Sequence, residues 1–409
     1  MNLLQYLLFF PSFTFGLVGA EIFPWAILYA IGKKGTTDLR LLSIMFILFL
    51  STIITQLWYS EIGWMESLRA LAAYLNAIIV FFVIMRLDDY SVRRLNIVSL
   101  RVFVLLLLVG LMQYFQVFEG TGKFIDSIVP RGSWGALEVG GRGVPLLSTE
   151  PSRASVELIF LYAIVRYNVL PQVKLIGKYI FVFDVSVFLF VFVFLKSMAG
   201  LVFLVIFFLP IYRLPFALVL LAVVLGSSVY VENNRAFSVF MSLFSSGSFT
   251  QLFSTLLNAS GFRVVSVLSA YYSGVLIPIG QGVGAWELSS IKSMMMAGFA
   301  ASDIQYFRYF SSGDFIGVRP ASFVSNLFLD IGLMGFLLVC YLLKGVLMEV
   351  VNLKPPFSII SLFLFSTFFF GAVGNPIPWI CLALVLRTLQ YTKKCSGSGL
   401  RLSAPEKTS

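Results

Sequence analysis

A chain of 409 residues with 59% hydrophobic and 12% charged residues is far from a soluble composition, where about 25% of residues carry charge, and is expected to be a polytopic membrane protein. A net charge of +10 does not make it a nucleic-acid binder, because no basic tract is long enough for a groove and most cations stand in short segments between apolar runs. It contains no histidine, the commonest acid/base group near neutral pH and the commonest metal ligand, so carboxylates, arginine, lysine or tyrosine must carry any chemistry and neither metal nor cofactor is expected.

A membrane-crossing helix needs about 20 apolar residues. The first runs, 3–16 and 18–32, are short and carry Pro11 and Pro24, which predicts either two spans or a broken, re-entrant pair. With no basic leader or A-x-A-like cleavage site, the first is expected to be retained. Helices follow at 39–57, 66–85 and 99–117, and the Asp88–Asp89 pair between the last two reads as a solvated loop. After a long segment, 118–150, come helices at 151–166, 179–195, 198–212 and 215–231. A second long segment, 232–320, precedes helices at 321–343, 357–371 and 376–391 and a tail, 392–409. The expected fold is therefore an all-α, single integral membrane domain (1–409) of about 12 spans.

Of the 29 lysines and arginines, 18 fall on one side of this arrangement and 11 on the other. Short, cation-rich loops are cytoplasmic, which places 118–150 and 232–320 outside. Loops that long are usually functional. Within the second, GFRVVSVLSAYYSG (261–274) repeats its apolar positions at i, i+3 and i+4 and predicts a helix packed on something. Cys340 and Cys381 fall in membrane helices and Cys395 in the tail, so no disulfide framework is expected. Unequal loops and the lack of an internal repeat argue against the duplicated architecture of many transporters.

The arginines left outside need reasons: Arg69, Arg131, Arg142, Arg153, Arg235, Arg263, Arg308 and Arg319, with Lys196 at a short outer turn. A guanidinium is always charged and binds phosphate bidentately, so as a set they suit a lipid-linked phosphate or pyrophosphate. Any one of them, alone, reads more simply as a snorkelling side chain or a loop salt bridge. In STEPSRASVELIF (148–160), Thr149 is expected to cap a helix and Pro151 to sit in its first turn. Glu150 then meets the positive end of the helix dipole. Glu150, Arg153 and Glu157, at i, i+3 and i+7, share one face.

Glu157 lies roughly 10 Å deeper at 1.5 Å per residue. It should face the protein interior or a wet cavity, or form a structural pair with Arg153. Glu150 stays near water and is the better candidate to accept a proton from a hydroxyl. Asp330 reads as packing glue with Asn326, and Asp184 as structural. In PIGQGVGAW (278–286), Gly282 and Gly284 let backbone approach a ligand or turn tightly; a phosphate-binding nest is the weaker use of that spacing.

Four segments together resemble the O-antigen ligase and polymerase superfamily of bacterial inner-membrane glycosyltransferases, and most of all its Wzy-type O-antigen polymerases. RGVPLLSTEPSRASVEL is similar to the family's arginine followed by Glu-Pro-Ser at a helix mouth, matching Arg142, Glu150, Pro151 and Ser152. GFRVVSVLSAYYSGVLIPIGQGVG resembles its periplasmic helix that starts with arginine and ends in a Pro–Gly–x–Gly turn, including arginine, ten residues, then glycine (Arg263 to Gly274). RPASFVSNLFLDIGLMGFLL resembles the helix after the large loop, with Asp330 ahead of Gly332 and Gly335. FLKSMAG departs from the family's Ser-Arg turn, leaving Lys196 as a substitute cation. The missing histidine points away from the ligase branch.

The resemblance implies a GT-C-like architecture and metal-independent transfer of a growing glycan from undecaprenyl pyrophosphate to a lipid-linked repeat unit, in lipopolysaccharide biosynthesis at the periplasmic face of the inner membrane. Its partners would be the lipid-linked oligosaccharide donor and acceptor, membrane lipid and a chain-length regulator protein. Arg142 and Arg263 would hold the pyrophosphate and Glu150 would act as base. Arg319, Arg153, Lys196, Arg69, Gly282 and Gly284 would bind substrate. An O-antigen ligase or related lipid-linked glycan glycosyltransferase, and a lipid-linked oligosaccharide flippase, are the rival readings.

Overall fold

The computed structural model describes residues 3–13, 24–32, 38–115, 129, 143–173, 177–226, 248 and 262–397, and every regular element among them is helical. The first half comprises α1 (Leu3–Leu7), α2 (Pro24–Ile31), α3 (Leu39–Trp58), α4 (Trp64–Met85), α5 (Asp89–Tyr114) and α6 (Pro151–Ile164). Then come α7 (Gly177–Phe190), α8 (Met198–Gly226), α9 (Phe262–Leu276), α10 (Trp286–Met296) and α11 (Gln305–Ser311). The last four are α12 (Phe323–Leu342), α13 (Lys344–Leu353), α14 (Phe357–Phe368) and α15 (Ile377–Gly397).

Six of these are long and apolar enough to cross a membrane: α3, α4, α5, α12, α6 with its extension to Val173, and α7 with its extension to Leu195. Shorter apolar helices cover Met198–Arg213, Phe262–Leu276 and Phe357–Phe368. The protein is thus a helical bundle with membrane-spanning character. The described parts of residues 3–32 hold only the short helices α1 and α2, neither of spanning length.

Local chemistry moves several boundaries from their sequence positions. The fifth helix begins ten residues before the expected 99, because Asp88 caps it: the Ser91 N–H and Oγ both donate to its carboxylate, at 3.0 and 2.7 Å. Asp88–Asp89 is therefore a helix start rather than a solvated loop, and Asp89 pairs with Arg387 at 3.5 Å. The run Met198–Gly226 is divided at Arg213 (φ 52°, ψ −134°), where the expected helices 198–212 and 215–231 meet. The predicted loop between 343 and 357 contains α13, whose Leu347, Met348 and Val351 are exposed.

α6 is the central element. Every residue from Ala154 to Ile164 is buried, enclosed by α5, α8 and α15, so its charged N-terminus opens from the middle of the bundle. One continuous apolar core runs from Leu8 in the N-terminal segment to Leu386 in α15. A second, small core of Val265, Met294, Ala301, Ile304, Phe307 and Val318 holds together the segment between α9 and α12.

The two ends of the bundle differ in charge. At one end Arg86 pairs with Asp38 at 2.8 Å, Arg387 donates to the Leu87 carbonyl at 2.6 Å, and Lys393 donates to the Asn352 carbonyl at 2.7 Å. The opposite end carries the starts of α4, α6 and α12 and the end of α3. The anticipated helix 261–274 is α9, packed lengthwise on α12: Gly274 lies so close to Phe328 that a Cβ there would sit 2.4 Å from its carbonyl oxygen.

Candidate functional site at the mouth of the central helix

Glu150 and Arg263, far apart in the chain, meet here: Arg263 Nη2 donates to Glu150 Oε2 at 2.8 Å. Glu150 is itself the N-cap residue of α6 (φ −152°, ψ 148°), in the place expected of Thr149, with Pro151 opening the helix. Its carboxylate makes no capping hydrogen bond. It turns outward, and the Ser152 hydroxyl donates to the same oxygen, Oε2, at 3.2 Å. Burial opposes ionisation of this carboxyl. The charges of Arg263 and Arg153, with hydrogen bonds from Ser152 and Arg263, outweigh burial and hold it below its ordinary value of 4.5.

Arg263 is steadied from another side. Its guanidinium carbon lies 5.4 Å from the Phe370 ring centroid, a cation–π distance, and Phe370 in turn packs on Phe203 of α8. The mouth therefore joins α6, the start of α9 and the turn after α14. Both partners of the pair remain open to solvent, with side-chain exposures of 33% for Arg263 and 40% for Glu150. Each uses one atom in the pair, Nη2 against Oε2, where a guanidinium can offer a two-pronged fork.

The approach to Glu150 is strained. Leu146 (φ 57°) and Leu147 (φ 120°) adopt positive φ, unfavourable for branched side chains. The turn is held by Ser148 N–H to Pro145 O at 2.8 Å and by Leu146 N–H to the Gln113 side chain at 2.9 Å. Strain of this kind persists only where the surroundings over-determine it, and here it lies just ahead of Glu150, in the turn that leads into α6.

The other sequence candidates divide. Arg142, Arg131 and Arg235 lie outside the described residues. Arg153 acts through its charge on both Glu150 and Glu157. No ion pair within 4.0 Å joins Arg153 to Glu157 among the described residues; Glu157, 7% exposed in the core, takes a hydrogen bond from Ser148 instead. Arg153 and Glu157 therefore form no close structural pair: the Glu157 carboxylate is buried in the core, while Arg153, one turn nearer the helix start, is only half-buried.

Lys196 ends the α7 extension in the left-handed conformation (φ 45°). Ser197 beside it is bonded to Ser155 of α6 at 3.1 Å, so this turn is tied to the same helix as Glu150. Arg69 and Arg308 are exposed and have no ion pair among the described residues, as expected of snorkelling or solvated arginines.

Arg319 sits deeper, donating to Asn326 Oδ1 at 3.2 Å and acting on the Tyr74 hydroxyl. Tyr74 donates to Asp330 Oδ2 at 2.7 Å, so Asp330 is bound to tyrosine rather than glued to Asn326. Asp184 is structural: Arg166 pairs with it at 3.1 Å and the Tyr212 hydroxyl donates to it. No cluster of three potential metal ligands occurs among the described residues.

Gly282 (φ +100°) and Gly284 (φ +95°) do not form a phosphate nest. The Gly282 N–H donates to the Asp330 carbonyl at 2.9 Å and the Val283 N–H to the Ser51 hydroxyl at 3.2 Å. Added Cβ atoms would meet Thr55 Oγ1 at 2.3 Å and Ser67 Cα at 2.6 Å. The glycines let this turn wedge between α3, α4 and a break in α12, where Gly332 has φ 63° and ψ −174°. The open α12 groups are met by the turn, as Gln281 N–H bonds Leu329 O and Met334 N–H bonds Pro278 O, at 2.8 and 2.9 Å.

Sequence reasoning overlooked Phe370, Tyr74 and Gln113. Nothing distinguishes Phe370 among 43 phenylalanines until the fold brings it under Arg263. No protein-family model, curated protein or solved structure matches the chain.

Proposed function

We propose that the chain is a metal-independent glycosyltransferase of the lipid-linked kind, an O-antigen polymerase of the inner membrane acting on its periplasmic side. The observation that supports this best is the Glu150–Arg263 pair. It joins two segments on which the family resemblance rests, at the end of the bundle opposite the cation-rich tips of α4 and α15. The full topology of about 12 spans, with 118–150 and 232–320 outside, belongs to the same proposal.

In this reading the acceptor hydroxyl attacks the anomeric carbon of the donor glycan, undecaprenyl pyrophosphate leaves, and the hydroxyl proton passes to Glu150. Arg263, with Arg142 and Arg319, binds the pyrophosphate and stabilises the charge that grows on it. Lys196 lies on a turn tied to the same helix and supplies a further cation. Arginine suits this role because its charge persists at every working pH.

The test is Arg263→Ala in cells that make the polymer. Loss of a single charge-stabilising donor typically lowers turnover by about 10²–10³, so long-chain polymer should disappear while the protein still inserts; normal polymer length and amount would refute the assignment. Deleting the gene separates the rivals. One repeat unit on lipopolysaccharide core indicates a polymerase. Bare core with accumulated lipid-linked polymer indicates a ligase, and bare core with single lipid-linked units retained inside indicates a flippase.

A further inference from the structure

The Glu150–Arg263 pair sets a condition on the proposed chemistry. Glu150 is tied up by the arginine that should hold the donor, and a carboxylate so engaged is a poor proton acceptor. The pair is single-pronged: among the described residues Glu150 Oε1 accepts no hydrogen bond and Arg263 Nε and Nη1 donate none. It is partly open to water. Phe370 supports the guanidinium independently of Glu150, so Arg263 keeps its place if the carboxylate leaves. The carboxylate likewise has the Ser152 hydroxyl beside it and no capping duty to its own helix.

We infer that Glu150 and Arg263 form an exchange switch: a phosphate group entering the mouth takes Arg263 from Glu150, and the released carboxylate becomes the proton acceptor only once donor is bound. This rests on the proposed reading of the mouth as a pyrophosphate site. Its consequence is order. Glu150 competes with the incoming anion, so the empty protein binds phosphate less tightly than its arginines alone would allow. In return the base is masked until there is a donor to use it, which disfavours attack by water or misplaced hydroxyls.

The test uses the full-length protein in detergent or nanodiscs with inorganic pyrophosphate as the probe, titrated calorimetrically. Glu150→Gln, which keeps the shape and removes the competitor, should bind about two- to fivefold more tightly than wild type, the range set by a partly exposed ion pair. Arg263→Ala should bind at least about tenfold more weakly, as expected on losing a charge-assisted contact. Adding Glu150→Gln to Arg263→Ala should then change nothing, because the competition requires the arginine.

That last comparison separates exchange from long-range repulsion, which would tighten binding in both backgrounds and so overturn the switch. Equal affinity in wild type and Glu150→Gln, with Arg263→Ala weakened, overturns the switch and leaves the phosphate site standing. Failure of pyrophosphate to bind, or binding indifferent to Arg263, overturns both. Should Arg263→Ala not fold, Arg263→Lys replaces it: one ammonium in place of the fork should weaken binding and shrink the Glu150→Gln effect, and undiminished affinity would count against the switch.

Discussion

Glu150 shows how far a single residue can be read. Its place beside a helix start, near water and ahead of Pro151, is evident from STEPSRASVELIF, as is the face it shares with Arg153 and Glu157. Its partner was not, because Arg263 reaches it from a different helix. The pairing has a measurable pH signature. Arg263 from α9 and Arg153 on its own helix face this carboxylate and hold it below 4.5 against the effect of burial. A depressed carboxyl stabilises the fold fully above its ordinary value and loses that contribution as pH falls through the folded value. The thermal midpoint of wild type should exceed that of Glu150→Gln by a small, constant margin above pH 4.5, reflecting about 0.2–1 kcal/mol for a half-exposed pair. The margin should close on acidification; one that persists unchanged at the acid end would show that the charge of Glu150 does not carry the stabilisation.

At the scale of elements, the turn 278–285 and the broken helix α12 form one interlocked unit, and its glycines serve packing. Gly282 combines φ +100° with a neighbour only 2.3 Å from any added Cβ, so Gly282→Ala should destabilise by about 2–4 kcal/mol from strained backbone and overpacking together. Gly298 makes the comparison, with φ +75° but nothing within 4 Å, and its alanine variant should cost only about 1 kcal/mol for the left-handed backbone. Thermal unfolding of the two variants in the same detergent gives the difference; equal losses would mean that the wedge between α3, α4 and α12 does not exist. A glycine pattern in sequence announces close approach without saying to what. Here the approaching group is protein backbone, so a ligand-cradling use of the same spacing lost out. The break at Gly332 was hidden for a related reason: the apolar run around it, Ile331 to Leu343, reads as continuous helix, and only the groups supplied by the turn make an interrupted helix tolerable in such surroundings.

For the molecule as a whole, the proposed orientation puts the Glu150–Arg263 mouth and the α9–α11 segment outside and the Arg86, Arg387 and Lys393 end inside, following the positive-inside rule. In a protein with Cys340, Cys381 and Cys395 changed to serine, Tyr309→Cys on exposed α11 should react with an impermeant maleimide on intact spheroplasts. Lys393→Cys should react only after permeabilisation. The reverse pattern would turn the mouth towards the cytoplasm and remove the periplasmic reading.

Composition and apolar run length alone determined that this is a helical membrane protein, because hydrocarbon leaves helices as the structure that satisfies every backbone group within the segment. Run length also located most of the long helices, the Glu150–Pro151 pattern the charged start of α6, and helical periodicity the packed helix expected at 261–274. What only the tertiary structure decided is which polar groups meet: Glu150 with Arg263, Asp330 with Tyr74, Asp184 with Arg166 and Tyr212. Periodicity reports the face a side chain occupies on its own helix. The partner across that face is set by how the helices cross, and the function of this mouth depends on those crossings.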